Sequence, residues 1–201
     1  MIYLVRHTTP DFISGTCYGQ ADLDVTGSFE EESTLIKKNL PADIVHAYSS
    51  PLQRCSKLAK SLFPDHQLIY ENDLMELNCG HWEMKSWDAI PPQELDPWMK
   101  DFVNVIVPGG ESYKQLYERT ASCFDRIALQ DKPTAIITHA GVIRSILAYI
   151  TQTPLADSFD AFKLHYGCVV KLIKNDDGFQ YEILHNTASV KEQHRPSTRQ
   201  V

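Results

Sequence analysis

Thr134-Ala135-Ile136-Ile137-Thr138-His139-Ala140-Gly141-Val142-Ile143-Arg144-Ser145-Ile146-Leu147 is a strand-to-helix transition without an interval. Its first five residues form a short, β-branched apolar run of the kind buried on both faces of a parallel sheet. Beyond Gly141, the apolar residues Val142, Ile143, Ile146, Leu147 and Ile150 fall at helical spacing. The same alternation recurs on either side. Residues 2–5, 43–48 and 68–70 read as further buried strands, and Leu52, Cys55, Leu58, Ala59 and Leu62 make a second apolar helix face. Residues 168–173 and 179–184 flank Asn175-Asp176-Asp177-Gly178, a hairpin signal. Together they predict an α/β fold, a three-layer α/β/α sandwich with a mostly parallel sheet.

Ser50-Pro51-Leu52-Gln53 reads as a helix start, with Ser50 capping, Pro51 at the first helical position and Gln53 completing a capping box. Residues 84–111 break the pattern. They hold Trp87, Trp98, four prolines and Gly109-Gly110 with weak periodicity, and read as a lid insertion of short helical pieces over a pocket. A longer helix follows, with Tyr113, Leu116, Thr120, Cys123, Phe124 and Ile127 on one face. Residues 1–186 are thus expected to form one domain, and the polar residues 187–201 a disordered tail.

The bulk numbers are those of an ordinary globular chain: 201 residues, 43% hydrophobic and 22% charged. A net charge of −7 points to neither a nucleic-acid face nor an anionic membrane surface. No apolar stretch approaches the roughly 20 residues that span a bilayer, and residues 2–5 resemble a strand rather than a leader. Cys17, Cys55, Cys79, Cys123 and Cys168 show no C-x-x-C spacing and read as small buried residues. A cytoplasmic location is expected. Oligomeric state leaves no signal.

Three strand ends carry chemistry. Arg6-His7 follows the first strand, His139 follows residues 134–138 and opens a helix, and Arg54 lies just inside the helix after residues 43–48. In an open α/β sheet these are the ends that bind ligands. Two guanidinium forks and a helix N-terminus suit a phosphate, and a small phosphorylated metabolite is the expected partner. A neutral imidazole can attack phosphorus, and a protonated second one can stabilise the redistributed charge. The remaining histidines, including His46, His66, His165, His185 and His194, fit no ligand spacing, so neither a metal nor another cofactor is expected.

Arg6-His7, Ser49-Ser50-Pro51-Leu52-Gln53-Arg54, Glu76-Leu77-Asn78-Cys79-Gly80-His81-Trp82-Glu83 and Thr138-His139-Ala140-Gly141-Val142-Ile143-Arg144 resemble the histidine phosphatase (phosphoglycerate mutase-like) superfamily over roughly residues 1–185. The resemblance implies a nucleophile at His7 and a phosphate pocket of Arg6, Arg54, His139 and the Ala140 end of the helix. It implies a proton donor, then acceptor, at Glu76. Glu83 reads as a residue that orients its loop. Thr8-Thr9-Pro10-Asp11 replaces the Gly-Glu that many members carry, and Ile13 replaces an asparagine of the mutase branch, which favours a hydrolase over a phosphotransferase.

Arg6-His7-Thr8-Thr9-Pro10, Gly15-Thr16-Cys17-Tyr18-Gly19 and Gly80-His81-Trp82-Glu83-Met84 are similar to the α-ribazole phosphatase subgroup. That resemblance implies α-ribazole 5′-phosphate as substrate, in cobalamin biosynthesis. Tyr18, Trp82 and Trp87 are then candidates to meet its flat base, against packing roles for each, and Glu111 is a candidate at the pocket mouth. The alternatives are a broad sugar-phosphate phosphatase, a mutase-type phosphotransferase, and an inactive module that only binds phosphorylated ligands.

Overall fold

Along the first strand, successive side chains serve two different cores. Ile2 and Leu4 enter one cluster of buried residues, Tyr3 and Val5 another, and in the fourth strand Ile136 and the pair Ala135/Ile137 divide in the same way. That period of two, apolar on both sides, requires cover on both faces. The computed structural model describes residues 1–176 and 178–188. Its strands are β1 (Ile2–Arg6), β2 (His46–Ser49), β3 (Leu68–Tyr70), β4 (Thr134–Thr138), β5 (Val169–Asn175) and β6 (Gly178–His185), in the order β3-β2-β4-β1-β5-β6. The first four run parallel, while β5 and β6 are antiparallel additions.

The helices are α1 (Phe29–Lys38), α2 (Gln53–Leu62), α3 (Pro92–Lys100), α4 (Tyr113–Ala128), α5 (Ala140–Thr151) and α6 (Ser158–Ala161). Ile36 of α1 and Cys55, Leu58, Ala59 and Leu62 of α2 pack on the Tyr3/Val5 face. Leu116, Cys123, Phe124 and Ile127 of α4, with Val142, Ile143, Ile146 and Leu147 of α5, cover the other. The result is the expected three-layer α/β/α sandwich. No helix among the described residues is long and apolar enough to cross a membrane.

Several local expectations need correction. β2 begins at His46, because Val45 already donates its backbone N–H to Pro133 (2.8 Å) ahead of the ladder. The Ser50 capping box does not form: α2 starts at Gln53, and its N-cap Leu52 has no side-chain cap. The Gln53 N–H instead goes to the Asp22 carboxylate (2.7 Å), and the Gln53 side chain donates to the Asp22 carbonyl (2.6 Å). A complete capping box stands at α4, where Ser112 and Gln115 exchange bonds of 3.2 and 2.9 Å. Helix α1 was not anticipated, since Ser33 and Ile36 are its only buried side chains.

Residues 84–111 hold a turn at Trp87–Ala89 and the short α3, and pack around a third cluster that includes Cys17, Cys79, Trp82, Trp87 and Leu95. All five cysteines are buried and none forms a disulfide. Of the expected tail, residues 189–201 lie outside the described residues.

Candidate active site

β1 and β4 are neighbours with Arg6 opposite Thr138, so the residues that follow them, His7 and His139, emerge side by side. The helix after β1 covers one face of the sheet and the helix after β4 the other. The crevice between these two strand ends is therefore a topological switch point, where α/β sheets bind ligands. The two imidazoles stand 5.1 Å apart between ring centres, at 62°. Both are buried.

His7 Nδ1 lies 2.7 Å from the Thr8 carbonyl oxygen. A carbonyl only accepts, so Nδ1 carries the proton and the neutral ring keeps its lone pair on Nε2. His139 Nε2 lies 2.8 Å from the Ser50 hydroxyl. Cys55 Sγ sits against the same imidazole and 3.4 Å from the Thr138 carbonyl, its thiol pushed up to about 12 by burial. It stays protonated there.

Burial, then the charges of Arg54 and Arg6, hold His7 well below its ordinary value of 6.5; the Thr8 bond opposes this. Burial, then Arg54, His7, Arg6 and Arg119, do the same to His139. The resting site thus differs from the expectation of one protonated imidazole. An arriving phosphate dianion would offset the arginines and favour the proton on His139.

The same burial makes stability depend on pH. An unfolded chain protonates both histidines as pH falls through 6.5, whereas the folded chain resists, so acidification favours unfolding. The stabilisation is complete above 6.5 and is lost on the acid side. The melting temperature is expected to fall between about pH 7 and about pH 5, before most carboxylates titrate. The fall should be shallower in His139→Gln. A flat profile across that window would remove both buried neutral imidazoles from the description.

The arginines are seated on carbonyls. Arg6 Nη1 donates to Leu164 (2.6 Å) while its guanidinium lies 4.0 Å over the Tyr166 ring. Arg54, fully buried, donates from Nη2 to the Gly19 carbonyl (2.6 Å) and from Nη1 to the Ala21 carbonyl (2.8 Å). Its Nε–H is buried and has no hydrogen-bond partner among the described residues. Tyr18 and Tyr166 share a hydroxyl bond of 2.7 Å, and Arg54 lies 5.6 Å from the Tyr18 ring. The two tyrosines thus join the two arginines.

Glu76 reaches the N-terminus of α5. One carboxylate oxygen accepts the Gly141 N–H (3.0 Å), the other the N–H of Leu77 (2.9 Å). Only glycine permits this: a Cβ on Gly141 would stand 2.2 Å from the Glu76 oxygen. Arg119 donates to the Glu76 backbone carbonyl (2.9 Å) and to that of Asp73 (2.7 Å), and so braces the segment.

A cavity of about 260 Å³ opens on this edge. Arg6, His7, Glu76, Ala140 and Gly141 line its polar end, and Trp87, Trp98, Phe102, Tyr113 and Phe159 its aromatic wall, with Tyr18 and Arg144 also exposed to it. His139 and Arg54 are not on the wall itself; both are fully buried behind it. Trp82 is not brought to the cavity; it is buried and its indole N–H donates to Glu94 (2.8 Å). Nor is Glu111, whose carboxylate is held by Arg119 (2.7 Å) and the Asn78 N–H (2.8 Å).

Sequence reading did not single out Trp98, Phe102 and Phe159 as cavity residues, or Arg119 and Tyr166 as supports. Weak periodicity in residues 84–111 hides the first two, and nothing local marks the rest. Among the described residues, one group with metal-ligand atoms in mutual reach is Glu71, Asp73 and Cys123. The Arg126 guanidinium already stands 2.9 Å from Asp73 and 4.0 Å from Glu71, filling that space with positive charge.

The chain matches the family model of the histidine phosphatase superfamily (branch 1) over residues 2–187. A metal-independent phosphoserine phosphatase of Arabidopsis thaliana is 30% identical over 168 residues, 77% of this chain and 70% of that protein. A 6-phosphofructo-2-kinase/fructose-2,6-bisphosphatase of the same plant is 26% identical over 165 residues, 78% of this chain, and the chain spans 22% of that protein's length. Among solved structures, the α-ribazole phosphatase from Shigella flexneri superposes with a TM-score of 0.84, covering 96% of this chain and 99% of that one. At 20% identity, this is a likeness of fold.

Proposed function

The chain belongs to the histidine phosphatase superfamily, and from that premise we propose that it hydrolyses phosphomonoesters through a phosphohistidine on His7, without a metal. The observation that carries this reading is the tautomer of His7. Its proton is fixed on Nδ1 by the Thr8 carbonyl, so Nε2 offers a lone pair beside two arginines and a second imidazole.

In the first step the Nε2–phosphorus bond forms as the bond to the ester oxygen breaks, and Glu76 gives its proton to the departing alkoxide. In the second, water attacks phosphorus, Glu76 takes a proton from it, and His7 departs to leave inorganic phosphate. Arg6, Arg54 and His139, with the Ala140 end of α5, hold the phosphoryl oxygens throughout.

We assign α-ribazole 5′-phosphate as the substrate, placing the protein in the cytoplasm and in cobalamin biosynthesis. Two features support this: the subgroup motifs and the aromatic wall, which suits a flat base better than a small hydrophilic alcohol. Residues 84–111 serve as the lid, and Trp87, Trp98 and Tyr18 meet the base. Each ring contact is worth about 1 kcal/mol, so any two of the three predict a kcat/KM preference of about 30-fold over phosphoserine, 3-phosphoglycerate and fructose bisphosphates, which carry no flat base. A phosphatase panel measures it. A flat profile would make the protein a generalist, and a preference for phosphoserine would align it with its plant relative.

A further inference from the structure

We propose that Glu83 is the positioning residue of the phosphate clamp, fixing segment 19–21 and, through it, the guanidinium of Arg54. The inference rests on the hydrolase reading above.

Glu83 accepts four backbone N–H groups. Gln20 (2.8 Å) and Cys79 (3.0 Å) donate to one oxygen, Gly19 (3.0 Å) and Ala21 (3.1 Å) to the other. Those bonds fill the acceptor positions of both oxygens, which leaves the carboxylate no part in moving substrate protons. Its influence passes instead along the chain. Three of those four donors, Gly19, Gln20 and Ala21, turn other groups toward the site. Gly19 and Ala21 present the carbonyls that seat Arg54, and the Gln20 side chain donates to the Glu76 carbonyl (3.0 Å). One carboxylate therefore sets both the arginine and the backbone of the proposed acid. The segment has little slack, since a Cβ on Gly19 would stand 1.8 Å from the Leu77 carbonyl oxygen.

In Glu83→Gln, one of the two oxygens becomes an NH₂ group facing N–H donors. The segment must then retreat on that side and carry the Gly19 or Ala21 carbonyl with it. Misplacement of a positioning group by an ångström costs about 100-fold. Glu83→Gln is expected to lower kcat/KM about 100-fold and to weaken orthovanadate, an anion with the shape of a phosphoryl group in transfer, by a similar factor. In an Arg54→Lys background the fork is already gone, so adding Glu83→Gln should weaken vanadate less than about threefold further, whatever it costs turnover through Gln20 and Glu76.

Vanadate losses that multiply in the double variant would overturn the inference. So would vanadate affinity unchanged in Glu83→Gln despite a lowered melting temperature, since that marks a residue holding the fold alone. If Glu83→Gln does not fold, Glu83→Asp keeps the charge but withdraws it by one methylene, and the same two assays decide. Absence of turnover in the wild type would sink the hydrolase reading separately. Phosphate and vanadate binding by wild type and Glu83→Gln would still test the clamp.

Discussion

Replacing His7 with alanine is expected to lower kcat on any phosphomonoester by a factor on the order of 10⁵ to 10⁶, the loss seen when a covalent nucleophile is removed from a site that otherwise stands. The size follows from the geometry. His139 is 5.1 Å away but engaged with Ser50, so no second imidazole is poised to replace the missing nitrogen. The chemical measurement is more direct than the rate. Wild-type protein quenched in alkali after mixing with substrate should carry one phosphate that survives base and is lost in acid, on His7. Turnover in His7→Ala within tenfold of wild type, or a labelled phosphate elsewhere, would refute covalent catalysis by this residue. Thermal melting of the variant shows whether the loss is chemical, because the substitution also removes the bond to Thr8.

Glu76→Gln is expected to slow alkyl phosphates about 100- to 10,000-fold, the usual worth of general acid catalysis, and nitrophenyl phosphate far less. An alkoxide needs a proton as it leaves; nitrophenolate is stable without one. Glutamine keeps an oxygen for one of the two N–H groups that hold Glu76, from Leu77 and Gly141, so the segment braced by Arg119 stays in place. The contrast between leaving groups therefore isolates the proton. Equal losses on both esters would leave Glu76 a structural cap on α5.

What the sequence revealed and what it concealed divide along physical lines. β1 and β4 were legible because strands buried on both faces are apolar throughout, and their ends placed Arg6, His7 and His139 without further information. Helix α1 was not legible, since a surface helix with two buried side chains carries almost no periodicity. Its charges were a usable signal: Glu30, Glu31 and Glu32 in the first turn and Lys37 and Lys38 in the last complement the helix dipole. Ser50 was misread as a cap because a local box and a hydroxyl directed at a histidine look alike in one dimension. Glu111 and Trp82 were placed at the pocket on motif position alone. Their partners, Arg119 and Glu94, are fixed by tertiary packing that no spacing reports. For the same reason residues 84–111 could be read as a cover, but not as the particular rings that line the cavity.

The distant cap on α2 has a consequence for how the site comes into being. The helix that carries Arg54 has no cap of its own, and Asp22 closes its first turn from 31 residues away. Asp22 follows directly on Gly19–Ala21, whose carbonyls seat the arginine. Closing the first turn of α2 and seating Arg54 are thereby done by one segment, residues 19–22. A fragment containing only β2 and α2 would hold neither, because the closing segment lies before it in the chain. The entropy of drawing that loop shut is met once, and the Arg54 guanidinium is ordered before any anion proposed for it arrives.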